Sequence, residues 1–201
     1  SESLIPHLAR YYQIDVFVPQ NDIAPGWVKN NCQVFPLSEL YRCAADYDRV
    51  LYHFGNNPQH ADMFELLEAV PGVVVLHDFF LSGINWYREA HQISEHSLNH
   101  ELYYAHGYQS VQERLCCGDT ETVFKYPCSR SVVDNSVGTI VHSQNSLRLA
   151  EKWYQSSRGF KVIPLLRDIA PSKERKDLRT KYGLGKKDVV VASFGFLGPT
   201  K

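Results

Sequence analysis

The segment Gly72-Val73-Val74-Val75-Leu76 is a continuous apolar run that ends at the polar pair His77-Asp78. A strand that is apolar on both faces is typical of a parallel sheet covered by helices. Shorter apolar runs recur along the chain and alternate with amphipathic segments of helical periodicity, which is the pattern of α/β folds. We therefore predict an α/β fold, with a parallel sheet and helices on both of its faces.

The predicted strands and helices alternate along most of the chain. We expect strands over residues 14–18, 32–35, 49–54, 72–76, 139–142, 160–165 and 189–197. Helices are expected over 4–12, 37–45, 60–69, 79–117 (with breaks near 95 and 107), 143–157 and 172–183. This order predicts a Rossmann-like sheet. Because such a sheet normally opens with a strand and this chain opens in a helix, we expect it to be a piece of a longer protein.

Composition narrows the class of protein. The chain has 201 residues and a formal net charge of -1, which argues against a dedicated nucleic-acid binder. No apolar stretch approaches the roughly 18–20 residues that span a bilayer, and no signal-peptide pattern is present. Five cysteines without a CxxC pair favour reduced thiols in a cytosolic protein. For the adjacent pair Cys116-Cys117 we expect two buried or half-buried thiols near a helix end, the alternative being a vicinal disulfide.

Three polar groups follow predicted strands directly. In parallel sheets, ligands bind beyond the carboxyl ends of the strands, so these groups are expected to meet at one edge. They are Gly55-Asn56-Asn57 with His60, His77-Asp78, and His142-Ser143 with Asn145. The alternative for each is structural, because Gly-Asn turns and helix caps are common features of loops.

His77 is the central candidate, because it directly follows the most apolar strand and its ring can reach a hydroxyl or phosphate. Asp78 could orient that ring or cap a helix that begins at Phe79. In the alternative interpretation, Asp78 is only a helix cap and His77 only a packed residue of the sheet edge.

A metal centre is not predicted. His96 and His100 are four residues apart on a predicted helix, but two histidines supply only half of a typical zinc site. The HExxH pattern is absent, and so are a Gly-x-Ser-x-Gly elbow and a Walker-type phosphate loop. We predict no cofactor.

Four segments together resemble bacterial glycosyltransferases of family 4. They are His53–His60, with Gly55-Asn56-Asn57-Pro58 and His60; Val74–Gly83, with His77-Asp78-Phe79-Phe80-Leu81; Ile140–Ser143; and Ala192–Lys201, with Gly195 and Lys201. The resemblance covers almost the whole chain, in order. Members of this family are retaining, metal-independent enzymes of GT-B architecture, with two Rossmann-like domains that face each other across a cleft.

The resemblance implies a role for each matching residue. His77 resembles the cleft histidine and is the predicted catalytic residue, whose replacement by alanine would reduce turnover in the intact enzyme. Predicted acceptor-binding residues are Gly55, Asn56, Asn57, His60, Asp78 and Ser143. Gly195 and Lys201 resemble the residues that hold the donor diphosphate, although Phe196 stands where many members carry arginine.

The implied domain organisation is an acceptor-side domain over 1–166 that lacks its first strand, a linker and helix over 167–187, and the first strand and loop of a donor domain over 188–201. The parent enzyme would transfer a sugar from a nucleoside diphosphate to a saccharide or lipid-linked acceptor, and this piece alone would be inactive. The predicted location is cytoplasmic, with peripheral association of the parent with the inner face of the membrane as a further expectation. A sugar-nucleotide epimerase of the same architecture and a non-catalytic glycan-binding module remain alternatives.

The missing strand leads to one structural expectation. In the resembled domain that strand is central, so its absence leaves two rows of unpaired backbone groups inside the sheet. The apolar run Val189–Phe194 is expected to fill this position, either in its own chain or swapped between two copies as a homodimer.

Overall fold

The computed structural model describes residues 4–19, 23–166 and 178–191. Its strands are β1 (Asp15–Val18), β2 (Gln33–Pro36), β3 (Leu51–Phe54), β4 (Val73–Leu76), β5 (Gly138–Val141) and β6 (Phe160–Val162). Its α-helices are α1 (Ile5–Leu8), α2 (Trp27–Asn31), α3 (Leu40–Cys43), α4 (Met63–Ala69), α5 (Ser82–Ala90), α6 (Ser97–His106), α7 (Tyr108–Cys117), α8 (Asp119–Lys125), α9 (Arg130–Asn135), α10 (Gln144–Tyr154) and α11 (Leu178–Lys181). Short 3₁₀ helices span Leu37–Glu39, Ala44–Asp46 and Pro58–His60.

All pairs of neighbouring strands are parallel. One sheet has the order β3-β4-β5-β6, and a second sheet consists of β1 and β2. The strands of the larger sheet follow one another in sequence order, and helices connect them. The predicted α/β class with a Rossmann-like parallel sheet flanked by helices is confirmed. The division into two sheets means that β1 and β3 form no ladder with each other among the described residues.

The main core lies on one face of the larger sheet. Because side chains alternate along a strand, Tyr52, Phe54, Val74, Leu76 and Val141 share this face, and all of them are buried. The helices contribute buried apolar residues to the same cluster, among them Leu66, Ile84, Val132 and Ala150. Burial under the connecting helices therefore explains why these alternate strand positions are apolar.

The smaller sheet joins this core through aromatic contacts. Phe17 of β1 packs against the core cluster, and its ring meets the ring of Tyr47 edge-on at a centroid distance of 5.6 Å. The Tyr47 hydroxyl donates a hydrogen bond to Asp15 Oδ2 over 2.8 Å. Since Tyr47 lies shortly before β3, this contact connects the two sheets.

The long helical region between β4 and β5 agrees with the sequence pattern in part. The predicted breaks near Glu95 and Gly107 separate α5, α6 and α7, as expected. Helices α8 and α9 were not predicted. Both are short, with seven and six residues. Helix α9 depends on tertiary contacts for its beginning, because the buried carboxylate of Glu101 accepts a hydrogen bond from the Ser131 amide over 3.0 Å.

Several predicted boundaries are wrong. The first helix ends at Leu8 rather than Tyr12, and the side chains of Tyr11 and Tyr12 are exposed instead of forming an apolar face. The predicted helix over 37–45 is instead two 3₁₀ turns around the four-residue α3. Strand β6 ends at Val162, because β5, its partner, ends at Val141 and leaves residues 164–165 without a ladder.

The chain divides into two compact units, Ser1–Leu166 and Arg167–Lys201. In the second unit α11 ends before Gly183, whose positive φ of 67° suits a helix terminus, as the sequence predicted. The expected strand over 189–197 is wrong for Val189–Val191, which form none. Val189 and Val191 are 89% and 92% exposed, and a strand without a partner has nothing to satisfy its backbone groups. The rest of that run, including the donor-site candidates Gly195 and Lys201, lies outside the described residues.

Candidate functional site

The carboxyl ends of three adjacent strands bring three histidines together. His53 is the third residue of β3, while His77 and His142 directly follow β4 and β5. The ladders continue past the strand ends, because the His77 amide donates to the Phe54 carbonyl over 2.8 Å and the Ile163 amide to the Val141 carbonyl over 2.9 Å. Side-chain alternation places all three histidines on the face opposite the main core.

The three imidazoles form a continuous hydrogen-bonded row, which we call the imidazole row. His53 Nδ1 lies 2.9 Å from His77 Nε2, and His77 Nδ1 lies 3.1 Å from His142 Nε2. His142 Nδ1 lies 2.8 Å from the carbonyl oxygen of Ile163. The ring centroids are 5.2 Å apart in the first pair and 5.0 Å in the second. Both nitrogens of His77 are therefore occupied by its neighbours.

The loop after β3 packs closely beside the row. The backbone amide of Asn56 donates a hydrogen bond to Asp78 Oδ2 over 3.0 Å. A Cβ atom on Gly55 would lie 3.2 Å from Asp78 Oδ2 and 3.4 Å from His60 Nε2. Glycine at position 55 therefore permits this approach of the carboxylate and the fourth histidine to the backbone. The structure thus brings together five predicted site residues, namely Gly55, Asn56, His60, His77 and Asp78.

Three candidate side chains already have structural hydrogen bonds. Asn57 Oδ1 accepts from the Gln59 amide and caps the 3₁₀ helix Pro58–His60, while Ser143 Oγ accepts from the Ser146 amide and caps α10. Asn56 Oδ1 accepts from the Ile84 amide at the start of α5 over 2.8 Å. These three hydrogen bonds hold the loops of the site against the helices that follow them.

Asp78 does not cap a helix at Phe79, contrary to one of the two roles considered for it. Helix α5 begins at Ser82, four residues after Asp78, and the carboxylate of Asp78 accepts from Asn56 instead. The buried side chain of Phe79 explains the delay, because Phe79 enters the core before the helix starts.

Burial favours the neutral form of three histidines at this edge, His53, His60 and His77. Burial lowers the pKa of His53 from its ordinary 6.5 to about 4, with a further contribution from His77. The pKa of His77 is lowered mainly by burial and then by the neighbouring His142, and burial also lowers the pKa of His60. At neutral pH these rings interact with a ligand through hydrogen bonds and ring faces rather than through positive charge.

His53 is the residue that the sequence analysis missed as a candidate. His53 lies inside a strand rather than directly after one, so the search for polar residues that follow strands does not select it. Its position two residues before Gly55 is the available signal, since the alternation of side chains places residue 53 on the same face as the strand-end histidines.

The other histidines and cysteines lie away from this edge. His96 precedes α6 with a φ of 54°, so it does not share a helix with His100, and their ring centroids are 6.3 Å apart. Across residues 4–19, 23–166 and 178–191, no group of three or more histidine, cysteine or acidic side chains is arranged to hold a metal ion. Cys116 and Cys117 are exposed thiols, which corrects the expectation of burial. None of the described helices is long and apolar enough to cross a bilayer.

Comparisons with known proteins identified no relative of this chain. A scan against protein-family models, a search of curated proteins and a search of solved structures each found no match to this chain. The geometry of the edge and the resemblance of the motifs are therefore the observations that bear on function.

Proposed function

We propose that this chain is the acceptor-side domain of a retaining glycosyltransferase, with a saccharide bound at the edge formed by the imidazole row and Asp78. The observation that carries the proposal is the meeting of three histidines, one carboxylate and a glycine turn beyond the carboxyl ends of three adjacent parallel strands. Such edges are where α/β folds bind ligands.

The chemistry of the edge favours hydroxyl groups over anions. His53 and His77 are neutral at pH 7, and the carboxylate of Asp78 accepts hydrogen bonds. The imidazole rings also offer faces on which a sugar ring can lie. A phosphate would instead need cationic partners, and in the proposed enzyme those belong to the donor site around Gly195 and Lys201.

Transfer itself would depend mainly on positioning the acceptor and on stabilising the departing diphosphate. Under this proposal His77 lies at the centre of the acceptor site, flanked by Gly55, Asn56, His60 and Asp78. A cytoplasmic location, a nucleotide-sugar donor and a saccharide or lipid-linked acceptor are parts of the same proposal.

The test is an NMR titration of the chain with methyl glycosides of glucose, galactose, mannose and N-acetylglucosamine, and with UDP-glucose and GDP-mannose. We expect at least one glycoside to shift the amides of Gly55, Asn56, His77, Asp78 and Ser143. His77→Ala should weaken that binding, whereas His91→Ala, an exposed histidine outside the edge, should not.

The outcomes separate the competing functions. A chain that binds no glycoside contradicts the proposal. Binding of a nucleotide sugar at this edge without any glycoside would favour the epimerase. If His77→Ala unfolds the protein while its folded fraction binds normally, His77 is a structural residue and its proposed role is wrong.

A further inference from the structure

The hydrogen-bond partners of the imidazole row determine where its protons lie. A carbonyl oxygen can only accept, so His142 must donate from Nδ1 to Ile163, and a ring that carries a single proton then has a bare Nε2. His77 must therefore donate from Nδ1 to that nitrogen, which leaves its own Nε2 bare. By the same argument His53 donates from Nδ1 to His77. All three rings are Nδ1–H tautomers, and every hydrogen bond in the row runs in the same direction.

This direction leaves one ring nitrogen of the row open. His53 Nε2 is a bare acceptor, and it has no hydrogen-bond partner among the described residues. The contact with His77 uses Nδ1 of His53, so Nε2 is left for a ligand, and among the described residues β3 is an edge strand of its sheet. His77, by contrast, has no free nitrogen to offer.

We propose that His53 Nε2 is the atom of this edge that accepts a hydrogen bond from a hydroxyl group of a bound saccharide, and that His77 and His142 are positioning residues that hold His53 in the required tautomer. The inference rests on the proposed function for the nature of the ligand. It reassigns the polar contact from His77 to His53, while the ring face of His77 stays available for stacking.

The surrounding groups support an acceptor rather than a cation at this position. Among the described residues, the titratable groups beside the row are His60 and Asp78, and burial lowers the pKa of His60 as well. The lowered pKa values of His53 and His77 keep these two rings of the row uncharged near pH 7. A proton that enters at His53 Nε2 would displace the Nδ1 proton to His77 and, in turn, that of His77 to His142, leaving His53 and His77 as Nε2–H tautomers and the positive charge on His142.

The first experiment measures the tautomers directly. Long-range ¹⁵N–¹H correlation spectra of the chain at pH 7 distinguish protonated from bare ring nitrogens. We expect Nδ1–H forms for His53, His77 and His142. In His142→Ala, His77 loses the acceptor of its Nδ1 proton, and we expect mixed tautomers at His77 and His53. The matched control His91→Ala should leave all three signals unchanged. An Nε2–H form of His53 or His77 in the unmodified chain overturns the inference.

The second experiment measures the contact, with the glycoside that binds in the titration described above. His53→Phe keeps an aromatic ring but removes the acceptor, and we expect roughly two- to tenfold weaker binding, the loss of one neutral hydrogen bond. Thermal melts of each variant establish that it is folded. A glycoside that binds equally well to folded His53→Phe overturns the inference while the proposed function stands. If no glycoside binds, the proposed function is wrong, and the tautomers alone then decide whether His77 and His142 position His53.

Discussion

At the scale of single residues, two histidines of this protein have similarly lowered pKa values but different surroundings. His53 and His106 are both partly buried, and burial lowers the pKa of each from 6.5 to about 4. His106 packs among aromatic rings, with Tyr126 at a centroid distance of 4.9 Å and Trp153 at 5.0 Å. His53 belongs to a hydrogen-bonded row instead. Both rings are neutral in the folded protein, so acidic pH lowers the stability of the folded state relative to the unfolded state.

We predict that the free energy of unfolding falls as the pH is lowered from about 6.5 to about 4. The unfolded chain protonates these histidines near pH 6.5 and the folded protein only near pH 4, so the unfolded state binds more protons between those values. Above pH 7 both states are neutral and the contribution is complete. Replacing His53 with Phe removes one titrating group and should reduce the loss by about 1–3 kcal/mol.

The measurement is urea unfolding of the original chain and of His53→Phe at intervals from pH 4 to pH 7. His91→Ala serves as the control, and its curve should run parallel to that of the original chain. A pH dependence that is identical in His53→Phe would mean that His53 does not titrate between folding and unfolding as described.

At the scale of elements, the loop after β3 and the start of α5 depend on one asparagine. Asn56 Oδ1 accepts from the Ile84 amide, and the Asn56 amide donates to Asp78. A Cβ atom on Gly83 would lie 2.9 Å from both side-chain polar atoms of Asn56. The glycine in the first turn of α5 therefore makes room for the side chain that caps the helix.

We predict that Gly83→Ala destabilises the protein, although alanine favours a helix over glycine by about 1 kcal/mol. The added methyl group displaces the Asn56 side chain and breaks a cap worth about 1–2 kcal/mol, and the propensity gain is small at the second helical position. We expect a net loss of about 1 kcal/mol, measured by chemical unfolding.

A double-mutant cycle with Asn56→Ala isolates this contact. In the Asn56→Ala background the clash is absent, so Gly83→Ala should be neutral or stabilising there. If Gly83→Ala has the same effect in both backgrounds, the destabilisation does not come from Asn56.

At the scale of the whole molecule, the buried core lies entirely between Leu40 and Phe160, inside the first compact unit. The second unit contributes no buried residue among those described. Unit 1 also carries both sheets and the imidazole row. Its stability should therefore be independent of the residues that follow Leu166.

We predict that a chain shortened to Ser1–Leu166 unfolds within a few degrees of the full 201-residue chain, as followed by circular dichroism. A second shortening, to Ser1–Gln155, removes β6 with the buried Phe160 and the carbonyl that accepts from His142. Losing a buried phenylalanine costs about 2–3 kcal/mol, which corresponds to a Tm lower by about 5–10 °C. A comparable decrease for Ser1–Leu166 would contradict the independence of the first unit.

The fold class followed from the sequence because the apolar runs are long and the polar residues that end them are clear. The edge residues Gly55, His77 and Asp78 were identifiable for the same reason, since each follows a run directly. Helices α8 and α9 were not, because short helices depend on tertiary contacts such as that of Glu101 with the Ser131 amide. The run at Val189 was misjudged because high strand propensity does not supply a pairing partner.

By itself, then, the sequence determined the six segments that form strands, the order in which they follow one another, and the polar residues that end them, because these depend on local pattern and on burial. Only the tertiary structure decided that His53, His77 and His142 share one hydrogen-bonded row, that Asn56 and Ser143 serve as caps, and that the strands form two sheets. Side-chain distances between residues 53, 77 and 142 depend on the register of three strands. Register is set by packing over the whole core, which no local stretch of sequence contains.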